Sequence, residues 1–320
     1  MTSIIPIVFA FDDRYALPAS IAISSLLKSK HTGTEYKIII LDGGLSKKNI
    51  NAINKLSPNI IWKKVNNNTL NNVPTSEKWP LSVYYRLLIA DLLKEYDKII
   101  WSDVDVLFCG DLTEIYKINL EDCDWAGVAA ERQDEINGVH IHFAANKKPY
   151  ICMTGFMVIN AKQWRSKKMF SRFLQIINSY GPDLKMFDLD VLNLASDKIL
   201  NVPFNYCVLE NIYNSPIKQA PEYPWLSNVY TDIELERAKI SPIIIHFAGK
   251  SPKVWKRPYL EIPAQYFSYI KNSPFYNEEY YFPKWTTYTK SFFLMLCIKL
   301  MPIKRIRKRL KEMRKNLYNI

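Results

Sequence analysis

Short apolar runs that end next to acidic or glycine residues recur along this chain of 320 residues, and segments with helical periodicity separate them. Apolar runs of this kind are typical of strands covered on both faces. Strands that alternate with helices indicate an α/β sheet that is mostly parallel. We therefore predict a Rossmann-like α/β fold with helices on both faces of the sheet. The predicted strands are 4–11, 36–41, 60–65, 98–101, 125–130, 155–159 and 243–247.

The segments between these runs have the spacing of amphipathic helices. Ser46 is the predicted N-cap of one of them. Near residue 283 the composition becomes aromatic and then basic, which predicts a catalytic body at 1–283 and a separate tail at 284–320. The predicted helices are 17–27, 46–56, 81–93, 162–180 and 188–196.

The net charge of +12 is concentrated in the tail. Residues 284–320 contain eleven Lys or Arg and one Glu, a charge of +10, which leaves +2 on the other 283 residues. A nearly neutral body with no recognisable nucleic-acid module argues against a nucleic-acid partner.

The tail itself has the pattern of a basic amphipathic helix. Apolar residues recur at three- and four-residue steps from Ile303 to Leu317, and Lys and Arg fill most positions between them. Such helices lie in anionic membrane interfaces, so we predict attachment to the inner face of the cytoplasmic membrane. Nucleic-acid binding, or a helix packed on the body with a solvated basic face, remain the alternatives.

Cysteine usage and the first residues predict a cytoplasmic protein. Five cysteines, an odd number with no close pair, fit reduced thiols better than a disulfide framework. The first residues lack the basic segment of a signal peptide, and the late apolar run 292–298 is too short to span a bilayer.

Asp103 and Asp105 follow the apolar run 98–101 and are separated by one residue. Residues i and i+2 of an extended segment point the same way, at the strand end where open α/β sheets bind ligands. Two adjacent carboxylates repel each other unless a cation lies between them, and Mg²⁺ or Mn²⁺ suits both. The pattern is common, since 122–124 and 188–190 also match it, and the alternative reading is a loop or helix-cap carboxylate.

His246 stands at the end of the last buried run and is a candidate third ligand, because Mn²⁺ accepts an imidazole nitrogen. The alternative is a core histidine bonded to the backbone. Gly249, Lys250 and Lys253 follow, and they supply flexible backbone and positive charge suited to phosphate oxygens.

Six stretches of the chain, in order over about residues 4–255, together resemble the retaining glycosyltransferases of family 8. The resemblance is to the bacterial lipopolysaccharide and lipooligosaccharide galactosyl- and glucosyltransferases in particular. The stretches are FAFDDRY, VYYRLLIADLL, YDKIIWSDVDVLFCGDL, TGFMVINAKQW, DLDVLNLA and IIHFAGKSPKVW.

This resemblance implies a GT-A fold and a UDP-hexose donor, galactose or glucose, with a lipid-linked oligosaccharide as acceptor. It implies that Asp103, Asp105 and His246 hold Mn²⁺, with Mg²⁺ as the alternative ion. Asp188 would bind hydroxyls of the transferred hexose, and Asp190 would lie near its anomeric carbon. The implied contacts to the donor nucleotide are Ala10, Asp12, Arg86, Asp103, Val104, Asp105, Gly249, Lys250 and Lys253.

Three positions depart from the family pattern. Leu189 replaces a Gln between the two aspartates, Met153 replaces an Asn expected near the donor, and Arg14 replaces an Asn after the first acidic pair. Leucine can neither attack nor hydrogen-bond, which favours front-face attack with Asp190 as the nearby nucleophile candidate. A catalytically impaired UDP-sugar or glycan-binding protein, and a transferase acting on a soluble glycan, are the competing hypotheses.

Overall fold

The structure, a computed structural model, describes residues 3–70, 73–75, 80–132, 150–184, 186–249, 252–257, 259–281 and 285–316. Packing contacts divide the chain into two compact units, Met1–Ala248 and Gly249–Ile320. This division differs from the boundary predicted at 283/284, because packing and composition mark different features of the chain. The functional boundary at 283/284 stays a prediction.

The first unit is built on a seven-stranded sheet of strand order β3-β2-β1-β4-β7-β6-β8. Four of the six described pairings in this sheet are parallel, and β7 pairs antiparallel with both of its neighbours. The strands are β1 Ser3–Phe11, β2 Thr34–Asp42, β3 Ile61–Lys64, β4 Lys98–Ser102, β6 Trp125–Arg132, β7 Tyr150–Asn160 and β8 Ile199–Asn201.

A second sheet of three short strands was not predicted from the sequence, although its central strand corresponds to the strand predicted at 243–247. It consists of β5 Val106–Phe108, β9 Val208–Leu209 and β10 Ile244–His246. The central strand β10 pairs antiparallel with β5 and parallel with β9. This small sheet brings the segment after β4 next to the last strand of the unit.

The central residues of β1, β2 and β4 are almost completely buried, as expected for strands covered on both faces. Phe9, Ile39, Ile100 and Trp101 are each at most 1% exposed. Ser46 caps α2, accepting a hydrogen bond from the Asn49 N–H as predicted. The helices of this unit are α1 Ala16–Ser29, α2 Lys47–Asn54, α3 Ile89–Leu92, α4 Thr113–Lys117, α5 Ala161–Ser166, α6 Met169–Tyr180, α7 Asp188–Ala195, α8 Glu210–Asn214, α9 Tyr223–Leu226 and α10 Asp232–Ile240.

Two predicted helices differ in detail from the structure. The predicted helix 162–180 is two helices, α5 and α6, separated by a turn in which Lys168 has a left-handed φ of 52°. The predicted helix 81–93 begins as a 3-10 helix, Leu81–Leu88, and only its last turn, α3, is α-helical.

The second unit contains four α-helices within its described residues: α11 Ala264–Lys271, α12 Glu278–Tyr281, α13 Trp285–Leu300 and α14 Lys304–Asn316. Several large apolar side chains of α13 and α14 are exposed: Phe292, Phe293, Leu296, Leu300, Ile306 and Met313. Among the described helices, none combines the length and the apolar character needed to cross a bilayer.

Candidate active site

The carboxyl ends of β1 and β4 lie side by side. The two strands are parallel, with Val8 opposite Trp101, so Ala10 and Asp103 each follow this pair by two residues. The backbone N–H of Asp103 donates to the carbonyl of Gly155 in β7, at 2.7 Å. This bond fixes where the chain turns away from the sheet and where the following carboxylates begin.

Asp103, Asp105 and His246 come together across the two sheets. One ligand atom from each lies within 4.8 Å of the other two. His246 Nε2 is 3.2 Å from Asp105 Oδ1 and 3.8 Å from Asp103 Oδ2. Val104, between the aspartates, is buried. Two carboxylates and one imidazole nitrogen form a donor set that fits a divalent ion such as Mn²⁺.

The imidazole of His246 lies in a narrow slot. A Cβ built on Gly155 would be 2.3 Å from its Cε1 atom, so only glycine leaves room for the ring. Cys207 Sγ is 3.4 Å from Nδ1, opposite the carboxylates. Burial lowers the pKa of His246, but Cys207 and Asp105 outweigh it, and the pKa lies well above its ordinary value.

Arg86 joins the cluster to a second carboxylate. Its NH2 group donates to Asp103 Oδ1 at 2.8 Å, and its NH1 group is 3.0 Å from Asp188 Oδ2. NH1 also donates to the Thr154 carbonyl at 2.9 Å, and the guanidinium stacks over the Trp101 ring. At 6% exposure Arg86 is buried and is not a surface residue. A direct contact with the donor stays a prediction.

Asp188 is a buried carboxylate in the first turn of α7, where the helix dipole favours negative charge. Burial raises its pKa to about 6, although Arg86 opposes this shift. Thr154 Oγ1 donates to Asp188 Oδ2 at 3.2 Å. Thr154 therefore interacts with the carboxylate predicted to bind the sugar, a contact that the sequence did not indicate.

Strained backbone precedes α7. Phe187, the residue before the helix, has a φ of 43°, which is costly for a bulky side chain. Its ring packs edge-on against Tyr84, and burial together with Asp188 and Asp190 raises the pKa of the Tyr84 phenol. Asp190 is fully buried and accepts from the Met186 N–H at 2.8 Å. Leu189, between the two aspartates, is half-buried.

Asp12 occupies the loop after β1 and is the N-cap of the short 3-10 helix Asp13–Tyr15. Its carboxylate accepts from the backbone N–H of Arg14 and forms an ion pair with the Arg14 guanidinium at 2.7 Å. Arg14, the residue that departs from the family pattern, is thus held against Asp12. The predicted contacts of Ala10 and Asp12 with uracil and ribose stay predictions.

The residues predicted to bind the diphosphate belong to the second unit. Gly249 has a φ of 118°, a conformation that favours glycine. Lys253 precedes the 3-10 helix Val254–Lys256, and its ammonium lies 5.9 Å from the centre of the Trp255 ring. Lys250 lies outside the described residues. The roles of all three stay predictions.

The pattern at 122–124 has a structural role. Asp124 is fully buried and pairs with Lys167 at 2.7 Å, while its second oxygen accepts from the Asp197 N–H. Asp122 is exposed and pairs with Lys198. Here one aspartate anchors the start of β6 and the other lies on the surface.

The sequence left several residues around the cluster unassigned. Gly155 and Thr154 stand in a quoted stretch, TGFMVINAKQW, but nothing in it indicated that they contact His246 and Asp188. Trp101 donates from Nε1 to Asp103 at 3.3 Å. Cys207 had no local signal at all, because it comes near His246 only through the small second sheet.

Comparison with known proteins assigns the chain to a family. The model of glycosyl transferase family 8 matches residues 6–258. The chain belongs to this family. Among curated family relatives, a lipopolysaccharide 1,2-glucosyltransferase of Escherichia coli is 26% identical over 85% of this chain and 79% of its own. General stress protein A of Bacillus subtilis is 25% identical over 84% of this chain and 94% of its own.

Solved structures with the same fold include the galactosyltransferase LgtC in complex with donor and acceptor sugar analogues. It aligns with a TM-score of 0.69 at 22% identity, over 86% of this chain and 99% of that chain. The bifunctional glycosyltransferase WbbM aligns with a TM-score of 0.66 over 87% of this chain and 51% of that chain. These similarities confirm the predicted GT-A type of α/β fold for this family 8 chain.

Proposed function

We propose that this chain is a metal-dependent retaining glycosyltransferase that moves galactose or glucose from UDP to a lipopolysaccharide or lipooligosaccharide acceptor. The observation that carries the proposal is the cluster of Asp103, Asp105 and His246, connected by Arg86 to Asp188 at the carboxyl edge of the sheet. The names of the Escherichia coli relatives, lipopolysaccharide glucosyltransferases, support the acceptor class.

Asp103, Asp105 and His246 would hold Mn²⁺, or Mg²⁺ in its place, and the ion neutralises charge on the leaving diphosphate when bound. The two carboxylate oxygens of Asp103 have different contacts. Oδ1 accepts from Arg86 and Trp101, while Oδ2 lies on the side of His246. Arg86 thus fixes the direction in which this carboxylate presents its other oxygen.

Asp188 orients the transferred hexose by accepting hydrogen bonds from its hydroxyls. Arg86 and Thr154 hold this carboxylate in place from two directions. Because Arg86 contacts both Asp103 and Asp188, the ion site and the sugar site keep a fixed spacing. Such a fixed spacing would hold the transferred sugar at a set position relative to Asp103, Asp105 and His246.

Leu189 provides no nucleophile, so transfer proceeds by attack of the acceptor hydroxyl on the face from which UDP departs. Asp190 is the nearby carboxylate on the same helical turn, and its bond with the Met186 N–H orients it. Ala10, Asp12, Gly249, Lys250 and Lys253 complete the donor contacts in this proposal.

A donor screen with Mn²⁺ tests the proposal, with UDP release as the measurement and galactose and glucose donors compared. We expect metal-dependent UDP release with one hexose preferred, and complete loss in Asp103→Asn. The control Asp122→Asn changes an exposed aspartate of the same pattern and keeps full activity. Donor binding by calorimetry without turnover on any saccharide acceptor would instead support the impaired binding protein.

The basic tail supports a location at the inner face of the cytoplasmic membrane. Helix α14 carries eight Lys or Arg and one Glu, and α13 exposes Phe292, Phe293 and Leu296. Each basic residue near an anionic membrane surface contributes about 1 kcal/mol of attraction. An enzyme held there meets lipid-linked acceptors, whereas a dispensable tail would favour a soluble glycan as acceptor.

A further inference from the structure

Cys207 touches the candidate metal site from the side that the carboxylates do not occupy. It immediately precedes β9, and Leu209 of that strand is the register partner of His246. The side chain is 1% exposed, and its sulfur lies 3.4 Å from His246 Nδ1. Nothing in the proposed function assigns a role to this thiol.

The two ring nitrogens of His246 face different partners. Nε2 faces Asp103 and Asp105, at 3.8 and 3.2 Å, whereas Nδ1 faces Cys207. An imidazole that gives its Nε2 lone pair to a metal carries its proton on Nδ1. In most metal sites that N–H donates to a carboxylate, a carbonyl or a water. Here the atom in reach is a thiol sulfur, which is a weak acceptor.

Gly155 restricts the ring further. Its backbone lies so close to the imidazole that a Cβ there would also be 2.8 Å from Nδ1 and 3.2 Å from Nε2. The ring is therefore limited by backbone on one face, by sulfur at one nitrogen and by carboxylates at the other. In such a slot, loss of the contact at Nδ1 leaves the rotation of the ring less defined.

We propose that Cys207 is a positioning residue of the metal site, whose sulfur accepts the Nδ1–H hydrogen bond of His246 and so directs Nε2 toward Asp103 and Asp105. This inference rests on the proposed metal site. Cys207 does not ligate the ion in this arrangement, because its sulfur lies on the far side of the ring. The thiol selects which nitrogen is presented to the ion.

Binding of Mn²⁺ alone to the full chain, followed by the electron paramagnetic resonance signal of the free ion, tests the inference without any turnover. We expect Cys207→Ala to weaken binding about tenfold or more, the range typical of residues that support a metal ligand. Cys207→Ser keeps an acceptor and restores most of the lost affinity. Cys123→Ala, at another buried cysteine of the same unit, leaves the affinity unchanged.

Equal affinities of the wild type and Cys207→Ala would overturn the inference, and so would a serine variant as weak as the alanine variant. If the wild type binds Mn²⁺ and Asp103→Asn does not, equal affinities of the wild type and Cys207→Ala would exclude the role of Cys207 and leave the proposed metal site intact. If the wild type binds no Mn²⁺, the proposed metal site and this inference both fail.

Nitrogen-15 spectra of histidine in the Mg²⁺-saturated wild type provide a second measurement, made on the wild-type protein itself. The chain has four histidines, and His246→Gln identifies the signals of interest. We expect a protonated Nδ1 and an unprotonated Nε2. A proton on Nε2 with the ion bound would contradict the proposed hydrogen bond.

Discussion

Gly155 lacks a side chain at the one place where the His246 ring needs the space. We expect Gly155→Ala to push the ring out of its slot and to lower Mn²⁺ affinity about tenfold or more, as loss of a ligand's support does. The reason is a Cβ 2.3 Å from Cε1, where rigid strand backbone carries the new atom. Calorimetric titration with Mn²⁺ measures the effect.

Gly110→Ala is the matched control for this substitution. There the new Cβ would meet Cδ1 of Ile243, the movable end of a flexible side chain, and no site residue. We expect this variant to bind Mn²⁺ like the wild type. Equal Mn²⁺ affinities of the wild type, Gly155→Ala and Gly110→Ala would mean that metal binding does not require the present position of the His246 ring.

Asp188 gives the free energy of unfolding a pH dependence of unusual sign. Its pKa is about 6 in the folded protein, where burial raises it, and 3.8 in the unfolded chain. Between these values the folded state binds more protons, so stability falls as pH rises. The contribution of this carboxyl group is complete below the unfolded pKa and is lost as the pH passes the folded one.

The side chain of Asp188→Asn stays neutral, so this variant does not lose stability in the same way. We therefore expect its free energy of unfolding to increase relative to that of the wild type as the pH rises from about 4 to 7. Urea unfolding at both pH values measures this. Asp111→Asn is the control of opposite sign in a lower pH range, because hydrogen bonds from Thr113 and His31 overcome burial and lower the pKa of Asp111 to about 2. The stabilisation by Asp111 is therefore lost as the pH falls from about 4 to 2, and it changes little between pH 4 and pH 7. A constant difference between wild type and Asp188→Asn would show that Asp188 titrates normally.

Individual residues differ in how far the sequence could predict them. Asp103 and Asp105 were predictable as a pair, because ligands bind at the strand ends of an open α/β sheet. His246 was predictable as a candidate third ligand from its place at the end of a buried strand, although that strand belongs to the second sheet. The burial of Arg86 between two carboxylates was not predictable from the sequence. Arg86 lies in the 3-10 part of the predicted helix 81–93. The contact between Cys207 and His246 depends on the pairing of β10 with β9, a strand of only two residues that is too short to leave a pattern.

The elements around the three Asp-x-Asp patterns explain why one sequence motif has three outcomes. Asp103 and Asp105 flank the passage from β4 to β5, and Asp188 and Asp190 begin α7. Asp124 instead precedes β6 and holds the turn before β8 through the Asp197 N–H. Spacing alone could not separate these cases, because the neighbouring strands decide what each carboxylate faces.

Asp124→Asn should therefore affect folding and not metal binding. We expect a loss of about 2 kcal/mol in the free energy of unfolding, the usual cost of removing a buried charged hydrogen-bond partner. The loss has two sources, because the substitution removes the ion pair with Lys167 and weakens the hydrogen bond from the Asp197 N–H. Urea unfolding and Mn²⁺ titration of one sample separate the two effects. Reduced Mn²⁺ affinity with unchanged stability would contradict this assignment.

The predicted order of strands and helices reproduces most of the first unit, but connections within it were harder to foresee. The break between α5 and α6 occurs at Lys168, which has a left-handed conformation. Glycine or asparagine usually occupies this conformation, so a lysine gave no indication of the break. The second sheet joins β5 to β10 across more than 130 residues of sequence. Long-range pairing of short strands leaves no local signal.

Charge is distributed unevenly over the whole chain, and this asymmetry has a testable consequence for its location. With 284–320 carrying +10, we expect the full chain to float with vesicles of anionic lipid, to bind neutral vesicles weakly, and to be released by salt. Two variants with the same loss of charge test whether α14 is responsible. One variant replaces four exposed basic residues of α14 with Gln: Arg305, Lys308, Arg309 and Lys311. The control replaces four exposed lysines of the first unit with Gln: Lys28, Lys30, Lys47 and Lys48. We expect flotation to be lost in the first variant and kept in the control, because electrostatic attraction to the membrane falls off within a Debye length of its surface. Equal loss in both variants would mean that total charge matters and that α14 has no special role.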